Sequence, residues 1–82
     1  GETVAVWGCG PVGLFAIASA YMLGAERVFA IDRFDYRLRM AREHTGAITI
    51  VYRQSGDEAS GLNHLTGGRG PDKVIDAVGL EA

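Results

Sequence analysis

The chain has 82 residues, 48% of them hydrophobic and 22% charged, with a formal net charge of −2. That length allows one domain at most, and the slightly acidic balance excludes a basic footprint for nucleic acid or a polybasic patch for a membrane surface. No apolar run reaches the roughly 20 residues of a membrane span, and the single cysteine, Cys9, excludes an internal disulfide and a thiolate zinc cluster. A reducing, cytoplasmic setting is therefore expected.

The first element is "VAVW", Val4 to Trp7, apolar and rich in β-branched residues, as in a strand buried on both faces. The glycine turn "GCGPVG" follows directly and opens a helix at Pro11, where a missing N–H is harmless. Along this helix Val12, Phe15, Ala16, Ser19 and Leu23 recur at helical spacing and predict the buried face, with Gly24 as the stop. "RVFAID", 27–32, predicts the second strand. A second helix carries Phe34, Leu38, Ala41 and Thr45 on one face and Arg39, Arg42 and Glu43 on the other, and Gly46 ends it. "AITIVY", 47–52, predicts the third strand. Residues 53–66 are polar and glycine-containing, which leaves room for only a short helix, about Asp57 to Leu65. "TGGRGP" is a loop, and "DKVIDAVG" predicts a fourth strand ending in a tight turn. The alternation of strand and helix predicts an α/β fold: a Rossmann-type, doubly wound parallel sheet of about four strands with right-handed crossovers. The first strand is expected to be central, with helices on both faces. The chain starts almost on a strand, without an initiator Met, and stops just after another. The expectation is one partial dinucleotide-binding domain, residues 1–82, of a longer polypeptide.

Each glycine of the turn answers a physical need. Gly8 permits the tight bend, Gly10 lets the backbone approach a pyrophosphate, and Gly13 lets the helix lie close to the sheet. The helix N-terminus then offers N–H groups and a partial positive charge to phosphates. Asp32 closes the second strand nineteen residues after Gly13, where its carboxylate can accept both hydroxyls of an adenosine ribose; a helix-capping acid is the other reading. An S-adenosylmethionine-binding methyltransferase begins with a similar turn. Its glycines usually run G-x-G-x-G, with an acid two residues before the first. Here Val6 occupies the acid's place and the third glycine falls one residue later, so the dinucleotide is favoured.

In "VAVWGCGPVGLFAIASAYMLGAERVFAIDRFDYRLRMA" and "GGRGPDKVIDAVG" the sequence resembles the cofactor domain of the medium-chain dehydrogenase/reductase family. More narrowly, it is similar to the zinc-dependent alcohol dehydrogenase branch with its formaldehyde dehydrogenase-like members. The ordered set "GPVGL", "LGAERVFAID" and "DKVIDAVG" is more specific than the glycine triplet, and 53–66 is the weakest match. The resemblance implies that Gly8, Gly10, Pro11 and Gly13 form the pyrophosphate turn and that Val12 stands behind the nicotinamide. It implies Asp32 as the ribose acid, Arg33 beside the adenine, Arg37 reaching the same ribose, and Val78 and Gly79 flanking the cofactor. Plainer roles stand beside these: Arg33 and Arg37 as solvated helix charges, and Val12 and Val78 as core.

The implied cofactor is NAD rather than NADP, with zinc held by a catalytic domain that is not in this segment. The implied parent is a homo-oligomeric oxidoreductase moving hydride between an alcohol or aldehyde and NAD. The segment alone is expected to hold neither catalytic nor metal-ligating residues. Cys9 reads as a small filler inside the turn, and His44 and His64, without partners at ligand spacing, read as surface residues. A non-catalytic nucleotide-sensing domain shares the triplet and the acid, and is the competing function.

Overall fold

The computed structural model describes residues 2–51 and 68–78. Its elements run β1 (Thr3–Trp7), α1 (Pro11–Met22), β2 (Arg27–Asp32), α2 (Asp35–Thr45), β3 (Ile48–Val51) and β4 (Lys73–Asp76). The four strands form one parallel sheet in the order β3-β2-β1-β4. As expected, β1 is internal, pairing Trp7 with Ile31 of β2 on one side and with Asp76 of β4 on the other.

Strand alternation sorts β1 and β2 into two faces. Val4, Val6, Val28 and Ala30 meet Ile17 and Ala20 of α1 and Leu38 and Ala41 of α2 in one buried cluster. Ala5, Phe29 and Ile31, with Trp7 and Ile50 against them, form the core of the opposite face. Both described helices thus lie on the same side of the sheet. The short helix expected near Asp57 to Leu65, and with it the second-face helix, falls outside the described residues, as does Tyr52 at the end of the third strand.

The buried face of α1 differs from the expected one. Gly13, Ile17 and Ala20 are buried, whereas Phe15 is 75% exposed and Leu23, just past the helix, is 89% exposed. Every residue of "PVGLFAIASAYM" is uncharged, so polarity does not mark an outer side, and the spacing fits more than one stripe. The demand for closest approach decides instead, and it turns the glycine inward. In α2 the pattern is amphipathic and the expectation holds: Leu38 and Ala41 are buried and Thr45 is half-buried. Phe34 is not part of that helical face but its N-cap, in extended conformation. Gly46 closes α2 with φ of 77°, and Gly24 follows α1 with φ of 99°.

Candidate functional site

Parallel strands bring all their carboxyl ends to one edge of the sheet. In this order the chain leaves β1 for β2 and β3 on one side and returns for β4 on the other. The gap between β1 and β4 is therefore a topological switch point, the place where open α/β sheets bind ligands. A cleft of about 560 Å³ opens there, lined by Trp7, Gly8, Ile31, Asp32, Arg33, Phe34, Arg37, Asp76 and Val78.

Gly8 must be glycine for two reasons. Its φ is 97°, and a Cβ would stand 3.0 Å from the Val78 nitrogen and 3.2 Å from the Ala77 carbonyl carbon. The tightness here comes from the turn after β4, so the first glycine joins the two sides of the cleft. Its N–H donates to the Ile31 carbonyl at 2.7 Å, and the Ala77 N–H donates to the Trp7 carbonyl at 2.8 Å. Gly10 is the N-cap of α1 and Pro11 occupies the first turn; no side chain caps the helix and no acid stands in that turn. No built-in acid therefore competes at the positive end of its amide dipoles.

Asp32 is 7% exposed, and its carboxylate is committed on both oxygens. One accepts the Cys9 N–H at 2.8 Å; the other accepts those of Arg33 at 2.6 Å and Phe34 at 3.1 Å. Arg37 Nη1 stands 3.7 Å from the first oxygen. Asp32 therefore ties the turn before α2 and presents its carboxylate at the cleft, but it does not cap that helix, whose N-cap is Phe34 with no side-chain cap hydrogen bond. Cys9 is buried in the core, its Sγ 3.7 Å from the Ile31 carbonyl, in agreement with the filler role.

Of the residues expected to bind cofactor, Gly8, Asp32, Arg33, Arg37 and Val78 line the cleft together. Gly10, Pro11, Val12 and Gly13 lead from its edge into α1. Val12 and Val78 are exposed in this chain rather than packed in either core cluster of the described residues. Arg37 is half-buried and ion-paired, so it is not a plain solvated charge; Arg33 is exposed. Gly79 and His64 lie outside the described residues, and His44 is exposed in the last turn of α2. Sequence reasoning missed Trp7, Ile31, Phe34 and Asp76 as cleft residues. Asp76 had a local signal: its carboxylate accepts the Val78 N–H at 3.0 Å, the same two-residue step that Asp32 makes to Phe34.

The fold and the position of the cleft define a Rossmann-type α/β fragment. The chain belongs to the zinc-binding dehydrogenase family, whose model matches residues 11–82, in its zinc-type alcohol dehydrogenase-like form. It is 44% identical over its whole length to an alcohol dehydrogenase of Cupriavidus necator, covering 22% of that protein. It is also 44% identical over 79 residues to an L-threonine 3-dehydrogenase of Bacillus subtilis, covering 96% of this chain and 22% of that one. The solved alcohol dehydrogenase TADH from Thermus sp. ATN1 superposes with a TM-score of 0.87 at 45% identity, over 95% of this chain and 22% of that one. The chain spans about a fifth of the length of the curated relatives it matches.

Proposed function

We propose that the cleft binds a nicotinamide dinucleotide, NAD in preference to NADP, and that the chain is the cofactor-binding part of a zinc-type alcohol or aldehyde dehydrogenase. One observation carries this: the Asp32 carboxylate sits at the end of β2, beside the uncapped N-terminus of α1, in the crevice at the switch point. A ribose diol and a pyrophosphate need those two features side by side. The dinucleotide, when bound, supplies the group that accepts or gives hydride. This chain's own part is to hold it: Asp32 and Arg37 at the adenosine ribose, the α1 turn at the pyrophosphate, and Val12 and Val78 at the apolar walls.

Zinc is proposed to be held by a separate catalytic domain of the parent. Residues 1–82 by themselves are accordingly proposed to be inactive in hydride transfer. The relatives are oxidoreductases, which supports a dehydrogenase over a nucleotide-sensing domain. The formaldehyde dehydrogenase-like branch is the narrower form of the proposal, and a cytoplasmic, homo-oligomeric parent goes with it. Calorimetric titration of the full-length protein with NAD and NADP tests the central claim. Saturable binding, tighter for NAD by about tenfold or more, is expected from the charge that Asp32 sets against a 2′-phosphate. No saturable binding of either dinucleotide refutes it.

A further inference from the structure

Phe34 stands where helical periodicity places a core residue, yet it is 39% exposed and lines the cleft. Its backbone is held from both sides. Its N–H donates to Asp32, and its carbonyl accepts the N–H groups of Arg37 at 3.1 Å and Leu38 at 3.2 Å. The residue's backbone is thereby fixed next to the Asp32 carboxylate, and its ring lines the cleft. Two guanidiniums lie over the ring, with Cζ of Arg33 at 5.1 Å and of Arg37 at 5.2 Å from the centroid. The Tyr36 ring lies 5.7 Å from the Phe34 ring, and Tyr36 Oη stands 3.3 Å from Arg37 Nε, a second hold on the same arginine.

Resting on the dinucleotide reading above, we propose that Phe34 is a specificity-determining residue: its ring seats Arg33 and Arg37 beside Asp32 and so moderates the rejection of a 2′-phosphate. Arginine on an exposed helix start ordinarily spreads over many rotamers, and its charge is then diluted in solvent. A ring that attracts the guanidinium narrows that spread. With both cations held, a phosphate on the ribose meets two positive groups as well as the Asp32 carboxylate; Asp76 is the other acid lining the cleft. Asp32 still favours the free hydroxyl. Phe34 sets by how much.

The test uses the full-length protein and two probes, adenosine 5′-monophosphate and adenosine 2′,5′-bisphosphate, which differ only in the 2′-phosphate. In Phe34→Leu the bisphosphate should weaken about fivefold or more beyond any loss seen with the monophosphate, the scale of two loosened cation–π contacts. Phe34→Tyr, which keeps the ring face, should retain the native ratio. Should Phe34→Leu fold poorly by circular dichroism, the pair Arg33→Gln and Arg37→Gln removes the cations while leaving the ring, and should shift the ratio the same way. Equal weakening of both probes in Phe34→Leu, or a Tyr variant that behaves like Leu, overturns the proposal. If neither probe binds the native protein, the dinucleotide reading fails and this one with it; if both bind and the ratio never moves, only the role of Phe34 is lost.

Discussion

Replacing Asp32 by asparagine separates the two tasks of that side chain. The carboxylate accepts three N–H groups on two oxygens, one from Cys9 and two from Arg33 and Phe34. An amide has only one oxygen. If it faces Arg33 and Phe34, its NH₂ meets the buried Cys9 N–H, donor against donor, at a cost of about 1–3 kcal/mol. If it faces Cys9, the two N–H groups lost belong to exposed residues that water reaches, at a smaller cost. The amide should therefore turn toward Cys9, and stability should fall by about 1–2 kcal/mol. Asp32→Ala removes the carboxylate from all three N–H groups and gives up part of charge-assisted bonds worth about 1.5–3 kcal/mol each, so about 2–4 kcal/mol is expected. Both substitutions remove the negative charge. The proposed NAD preference, at least about tenfold or 1.4 kcal/mol in kcat/KM, should narrow in each. The assays are urea unfolding of the full-length protein and kcat/KM with NAD and NADP. A stable Asn variant within about 0.5 kcal/mol of native, with the NAD preference intact, would show that neither task belongs to Asp32.

Two glycines with nearly the same φ offer a matched comparison. Gly24→Ala meets nothing within 4 Å and should cost only the left-handed backbone penalty of about 1–2 kcal/mol. Gly8→Ala adds the contact at 3.0 Å with the Val78 backbone, so it should cost distinctly more in urea unfolding and also weaken NAD binding. On α1, Ile17→Ala should destabilise by about 2–5 kcal/mol, because the side chain is fully buried. Phe15→Ala should stay within about 0.5 kcal/mol, since the ring is exposed; equal losses at the two positions would refute the observed orientation of the helix.

The path from β1 through the glycine turn to Asp32 was legible because each step has a local cause. An apolar β-rich run, glycines at fixed offsets and an acid at a strand end all leave marks within a few residues. The inward face of α1 left none, since a helix without charges has no polar side to read. On the far wall of the cleft Val78 was expected from the family resemblance, whereas its contact with Gly8 and the place of Asp76 were hidden for a different reason. Asp76 and Val78 reach Trp7 and Gly8 only through parallel pairing across nearly seventy residues of chain, and spacing carries no trace of which strands will be neighbours. Phe34 was misplaced by a single residue at a helix start. Periodicity continues through a cap, whereas the backbone does not.

The Cys9–Asp32 hydrogen bond has a bearing on how the protein folds. It joins residues 23 apart in sequence, and it lies just past the Trp7–Ile31 pair that sets how β1 and β2 align. Were β2 to slip by one residue against β1, every side chain of the strand would exchange faces, and the carboxylate would no longer meet the Cys9 amide. Misaligned pairings thus lose a buried polar contact at the same moment as they lose the core. Because parallel pairing must wait for closure of the α1 crossover, this bond and the alignment of β1 with β2 form together, and the β2 side of the cleft is set in the same step.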